Sequence, residues 1–119
     1  MQSTVREISR TSTTLSYQPI RLPNQALEVI ASLYTIAPGT ELPLHRHPFP
    51  RFGYVLKGEL TIYNEDTGQV VHLREGQFGV EAIEQRHRGK STGSGPLSLL
   101  VIDQVPPGMH NVDMLETSG

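Results

Sequence analysis

A single all-β barrel is the fold this sequence predicts, and three observations predict it. The chain has 119 residues, enough for one hydrophobic core and not for two. Its 11 glycines and 9 prolines cut it into short segments, at intervals of roughly eight to twelve residues, as in sandwiches and closed barrels. Within the segments apolar residues alternate or form short β-branched blocks, and the helix signal is weak throughout.

In chain order, Ser12 to Tyr17 is polar and partly β-branched, and reads as an edge strand. Leu27 to Ile36 is apolar and β-prone and stops at the turn pair Pro38-Gly39. Leu22 to Ala31 has room for one helical turn, but Val29 and Ile30 favour strand. Pro43 to His47 is short and alternating, and Phe52 to Leu56 is a dense β segment closed by Lys57-Gly58. Leu60 to Tyr63 and Val70 to Leu73 flank Asn64-Glu65-Asp66-Thr67-Gly68, a hairpin loop ending in glycine. Phe78 to Ala82, Arg86 to Lys90 and Leu97 to Val105 complete the strands. The tail from Pro106 reads as a loop packed against the barrel or a partner.

Composition excludes several function classes. With 36% hydrophobic and 18% charged residues, the chain is neither disordered nor built for the bilayer. Its longest apolar runs fall well short of the ~20 residues of a membrane span. The net charge of −2 comes without a basic block, so nucleic acid is not an expected partner. The absence of cysteine removes disulfides, thiol nucleophiles and thiolate metal sites. The start, MQSTVREISR, lacks the basic and apolar parts of a secretory signal, so the cytoplasm is the expected compartment.

Chemistry is concentrated in histidines. Of the five (His45, His47, His72, His87 and His110), His45 and His47 stand two apart in a predicted strand. Alternate strand residues share a face, so the two imidazoles project together as a chelating edge for a divalent metal. Alone, a His-x-His pair is often surface. His72, beside Val71 and Leu73, reads as a surface or packing residue, and His110 as solvent-exposed.

The company of the pair is more specific. Gly39, five residues, His45-Arg46-His47, three residues, Arg51, six residues, Gly58 is one pattern. Gly76, five residues, Ala82-Ile83-Glu84, two residues, His87, three residues, Ser91 is the other. Together they resemble the two sequence motifs of the cupin superfamily. In that family Arg51 would be a metal-binding glutamate, and Ala82, Glu84 and Ser91 would be proline, glycine and asparagine. The resemblance covers residues 39–91. It implies a double-stranded β-helix, a jelly-roll-like barrel, with a divalent ion (Fe, Mn, Ni or Zn) held by His45, His47 and His87.

Arg51 is the main departure. A guanidinium stays charged at any working pH, and beside a divalent ion it would be repelled by roughly several kcal/mol. Three outcomes are open: Arg51 turns aside to a carboxylate, binds an anionic substrate, or marks a site that has lost its metal. Glu81 bears on the choice. In its strand it shares a face with Gly79, so it points away from the cavity if Phe78 and Val80 fill the core. Some three-histidine cupin dioxygenases that cleave β-dicarbonyl-type compounds have a glutamate six residues before the last histidine. By that resemblance Glu81 replaces the missing carboxylate, as a fourth ligand, as support for a ligand or water, or as the ion-pair partner of Arg51.

The expected function is a metal-dependent enzyme, dioxygenase-like or isomerase-like, acting on a small oxygen-rich or anionic substrate. Arg51 would take substrate charge and Glu81 a proton. A non-catalytic ligand-binding or sensing module is the alternative, and the loss of glutamate at Arg51 favours it. Phe49, between two prolines beside the histidines, is a candidate for the cavity rim, whereas Phe52 and Tyr54 are read as packing. An apolar sheet face with edge strands needs cover, which predicts a homodimer through Leu27–Tyr34 or the C-terminal segment.

Overall fold

Strict alternation in Leu97–Val105 sets the frame. Leu97, Leu99, Val101, Asp103 and Val105 are buried and the residues between them only half-buried, as a period of two requires when one face meets a core. A computed structural model describes residues 2–116. Its strands are β1 (Glu28–Ile36), β2 (His45–Arg46), β3 (Arg51–Lys57), β4 (Glu59–Asn64), β5 (Val70–Arg74), β6 (Phe78–Glu81), β7 (His87–Ser91), β8 (Leu97–Val105) and β9 (Asp113–Met114). They form two antiparallel sheets ordered β1-β8-β3-β6 and β5-β4-β7-β2-β9. This is the all-β barrel expected. Among the described residues no helix is long and apolar enough to cross a membrane.

The core lies between the sheets. Ile36, Val55, Leu97, Leu99 and Val101 of one sheet meet Leu60, Ile62 and Leu73 of the other, each worth about 1.5–3 kcal/mol when fully buried. This apolar plug fills one end of the barrel and leaves the histidines at the other.

Two glycine-type turns explain the motif spacing. Gly58 sits at φ +87° between β3 and β4, after a register shift between Val55 and Lys57. A Cβ there would lie 2.6 Å from the Pro96 carbonyl oxygen. Gly58→Ala is therefore expected to destabilise the protein by about 2–3 kcal/mol. Urea unfolding checks this, and a loss below about 0.5 kcal/mol would contradict it. At position 84 the family glycine is replaced, and Glu84 adopts φ +61° itself. Its N–H donates to the His47 carbonyl at 2.7 Å, so the tight turn survives with a residue less suited to it.

One expectation needs correction. Ser12 to Tyr17 is a turn closed by a Thr13–Pro19 bridge and not a strand. Thr14 Oγ1 accepts the Gln18 N–H at 3.1 Å, and Tyr17 takes φ +68°. Local side-chain bonding of this kind outcompetes strand pairing. In Leu22 to Ala31 the strand preference of Val29 and Ile30 prevails over a helical turn, as expected: residues before Glu28 are irregular and the rest join β1. Within the described residues the tail from Pro106 packs on the barrel. There Met114 pairs with His45 and Asp113 with Arg46 through the short strand β9.

Candidate metal centre

Three strand ends bring the histidines together. His45 opens β2 and is register partner of His87, which opens β7. His47, two residues past His45, is bridged to Ile83. The ring centroids lie 4.8 Å (His45–His47), 4.5 Å (His45–His87) and 4.8 Å (His47–His87) apart. Glu81 reaches them from the opposite sheet, at the end of β6. Its Oε1 lies 3.4 Å from His47 Nε2 and 3.2 Å from His87 Nε2. One ligand atom from each of the four residues falls within 4.8 Å of the others, a group that could hold a metal ion.

Hydrogen bonds orient all three rings alike. His45 Nδ1 is 2.8 Å from the Pro43 carbonyl, His47 Nδ1 2.6 Å from that of Asn111, and His87 Nδ1 2.9 Å from that of Gln85. A carbonyl only accepts, so each Nδ1 carries a proton, and each ring in its neutral form turns its Nε2 lone pair inward. His47 and His87 are 0% and 1% exposed, and their Nε2 atoms have no hydrogen-bond partner. Each of these two lone pairs faces the Glu81 carboxylate instead of a donor, and a proton or a cation at their focus would satisfy both sides. The donor set fits a divalent ion: three imidazoles fixed from behind and one carboxylate.

Glu81 lies on the inner face with Gly79, while Phe78 packs outward on Phe52 with ring centroids 6.5 Å apart. Burial pushes the Glu81 carboxyl up, but His47 and His87 beside it outweigh burial and hold it well below the usual carboxylate range. Burial likewise pushes His87 down, and contact with Glu81 outweighs it, so His87 is raised. His45 has no such contact; burial, reinforced by its two histidine neighbours, lowers it to about 4.

The metal-free protein is thus expected to keep His45 neutral until close to pH 4, which an imidazole NMR titration reads directly; a midpoint near 6.5 would contradict it. Between about pH 6.5 and 4 the unfolded chain binds a proton at this residue that the folded chain refuses. His45 therefore withdraws stability as pH falls through that window, about 3 kcal/mol in all. His87 acts in the opposite sense. Its contribution is complete below the unfolded value and is lost as pH rises through the raised folded one.

Arg51 takes the first of its three courses. It is 7% exposed, and its Nε and Nη2 donate to the two carboxylate oxygens of Asp103 at 2.9 and 3.1 Å. Glu81 is its register partner across β3–β6, but the ion pair is with Asp103, its partner across β3–β8. Nη1 points to the Tyr34 hydroxyl at 3.4 Å. Burial works against the Arg51 charge, and the bond to Asp103 outweighs it and raises the pKa. Asp103 was missed in the sequence, although a signal existed: it is the one charge on the apolar inward face of β8. Asn111 was missed too. It is 2% exposed, donates to Asp103 Oδ1 at 2.8 Å, and offers the carbonyl that holds His47.

Tyr34, Leu42, Pro43, His45, Arg51, Val112 and Met114 line a cavity of about 200 Å3 beside the histidines. A larger cavity, about 470 Å3, lies between residues 20–27 and Phe49, Phe52 and Gln104, and touches none of the four candidate ligands. Phe49 belongs to it and does not line the cavity beside the histidines. His110 is exposed. His72 is partly exposed and bonded to Thr61 Oγ1 at 2.9 Å.

Comparison with known proteins agrees with this architecture. The Cupin domain family model matches residues 32–103. Auxin-binding protein 1 of Arabidopsis thaliana is 37% identical over 87 residues, covering 67% of this chain and 44% of its own length, so the chain spans less than half of that relative. Two solved structures share the fold. Oxalate decarboxylase of Bacillus subtilis, studied for its Mn(II) centres, superposes with a TM-score of 0.61 at 23% identity, over 73% of this chain and 24% of that one. A DMSP lyase of Ruegeria pomeroyi superposes with a TM-score of 0.60 at 20% identity, over 73% and 43%. With the family model matched over residues 32–103, and Gly39, Gly58, Gly76, three inward histidines and the double-sheet barrel in place, the chain belongs to the cupin family.

Proposed function

We propose that this protein is a small metal-dependent enzyme acting on a small carboxylate or related oxygen-rich monoanion, with His45, His47, His87 and Glu81 as metal ligands. The observation that carries the reading is the common focus of three Nε2 lone pairs, two of them buried against the Glu81 carboxylate with no hydrogen-bond donor to satisfy them. A bound divalent ion would polarise substrate oxygen atoms as a Lewis acid.

Charge bookkeeping suggests the substrate class. Arg51 and Asp103 cancel, the three histidines are neutral, and Glu81 contributes one negative charge. A divalent ion would leave one positive charge, which a monoanion neutralises in a low-dielectric pocket. The adjoining 200 Å3 cavity is smaller than the roughly 300–1,000 Å3 of sites for drug-sized ligands. Leu42, Pro43, Val112 and Met114 would take a short apolar body. Arg51 Nη1 and the Tyr34 hydroxyl, on the same wall, would orient the substrate's polar end through hydrogen bonds. Glu81 would accept or return a proton at Oε1 if the substrate displaces it as a ligand.

With iron this site fits a dioxygenase; with manganese, nickel or zinc it fits an isomerase or lyase. The oxalate decarboxylase and DMSP lyase likenesses bear on fold, and the named chemistry of those proteins is a guide for assays. We propose a homodimer joined along β1, a sheet edge with Val29 and Leu33 65% and 64% exposed. The second reading, a non-catalytic binding module, draws on the auxin-binding relative.

The test loads the protein with Fe(II), Mn(II), Ni(II) or Zn(II) in turn, adds small carboxylates and β-dicarbonyls, and follows products and oxygen uptake. Metal-dependent turnover that His47→Ala abolishes is expected. Thermal stabilisation by a ligand that survives chelation, without turnover under any metal, would replace the enzyme by the binding module.

A further inference from the structure

His47 is the one histidine of the three whose Nδ1 is held by a carbonyl distant in sequence. His45 and His87 use carbonyls two residues away, at Pro43 and Gln85, whereas the carbonyl on His47 Nδ1 belongs to Asn111, 64 residues later. We propose that Asn111 is a positioning residue of the metal centre, fixing His47 and tying the C-terminal strap 106–116 to the site. The proposal rests on the reading of His47 as a metal ligand.

The geometry gives Asn111 no slack. Residues 48–50 join His47 to Arg51, and because Pro48 and Pro50 lack an N–H, Phe49 supplies the loop's only amide donor. Asn111 Oδ1 accepts it at 2.9 Å. Asn111 Nδ2 lies within donating distance of the carbonyls of Phe49 (3.1 Å) and Pro50 (3.3 Å) and donates to Asp103 Oδ1 at 2.8 Å. One carboxamide thus holds the middle and the far end of the loop between the metal ligand and the buried arginine. It also holds the aspartate that neutralises that arginine. The task needs an acceptor and two donors on a short planar group, which asparagine has and aspartate lacks. Beyond Asn111 the strap pairs with β2, placing Val112 and Met114 on the cavity wall beside His45. Its far end is fastened separately, by Glu116 to Arg88 at 2.9 Å and to the Leu44 N–H at 2.8 Å.

Two readouts test the proposal on Asn111→Ala, with Arg88→Met as control for loosening the far end. One is Co2+ affinity by chelator competition, at a temperature where every variant is folded. The other is the His47 tautomer in metal-free protein, from long-range 1H–15N spectra. Asn111→Ala is expected to raise the Co2+ dissociation constant about 10–100-fold and to mix the His47 tautomers. Arg88→Met should leave the tautomer pure and the constant within about threefold. Both changes together support the proposal; weaker Co2+ binding with a pure tautomer, or either readout unchanged, overturns it. If Asn111→Ala does not fold, Asn111→Ser is judged by the same two readouts. Wild-type protein that binds no Co2+ would remove the metal reading, and the proposal with it; bound wild type with unaffected Asn111→Ala removes the proposal alone.

Discussion

Asp103→Ala is expected to destabilise the metal-free protein by about 3–5 kcal/mol, lowering the melting temperature by roughly 10–20 °C. The reason is the charge left behind. Arg51 is 7% exposed, lies within the barrel, and gives two of its donors to Asp103. Without that carboxylate the guanidinium must stay charged in a poor solvent. Glu81 lies on the neighbouring strand but is already held by two histidines. The loss of the Asn111 bond to Asp103 Oδ1 adds to the effect. Removing both charges at once, as Arg51→Met/Asp103→Leu, should cost far less, because replacing a buried pair by apolar groups is often near neutral. Chemical denaturation of the two variants checks this. A loss below about 1 kcal/mol for Asp103→Ala would show that Arg51 finds another partner or water.

Glu81→Gln is expected to weaken divalent metal binding by at least about 100-fold. Groups that only support a ligand typically contribute 10–100-fold, and Glu81 supplies the sole negative charge at the focus of three neutral rings. The same change has a second consequence in metal-free protein. Contact with Glu81 is what raises His87 against its burial. With the carboxylate gone burial prevails, and the His87 titration should move from above its ordinary value to below it. Metal titration and an imidazole NMR titration read the two effects independently. Unchanged affinity would make Glu81 a bystander, and an unchanged His87 titration would contradict the contact itself.

Much of the fold was legible because the strands are regular where the core demands it. The alternation of Leu97 to Val105 corresponds residue for residue to β8. The glycines at 58 and 76 mark turns that only positive φ allows, at +87° and +82°. The edge strand expected at Ser12 to Tyr17 failed for a local reason. A threonine hydroxyl bonding to the backbone four residues on closes a turn, and β propensity carries no information about that competition. Strand β9 escaped notice because two residues hold no period.

At the site, the pairing of His45 with His47 followed from spacing and the addition of His87 from the family resemblance, but the direction of Glu81 followed from neither. Period-two alternation says which residues share a face and leaves open which face is inside. The N-terminal turn helps decide it. The Leu15 side chain packs against Gly79, on the inner face with Glu81, and the Leu15 N–H donates to the Val80 carbonyl. Asp103 was readable as a lone carboxylate on an apolar face. Asn111 was not, since its contact with His47 runs through a backbone carbonyl 64 residues away, and a carbonyl has no sequence signature.

The most direct test of the metal centre is the metal content of tag-free protein purified without chelator, beside a His45→Ala/His47→Ala variant. Elemental mass spectrometry should find close to one divalent ion per wild-type chain and almost none in the folded variant. Substoichiometric mixed metal, equal in the two proteins, would contradict the account and leave the pocket around Arg51 and Tyr34 as a metal-free ligand site.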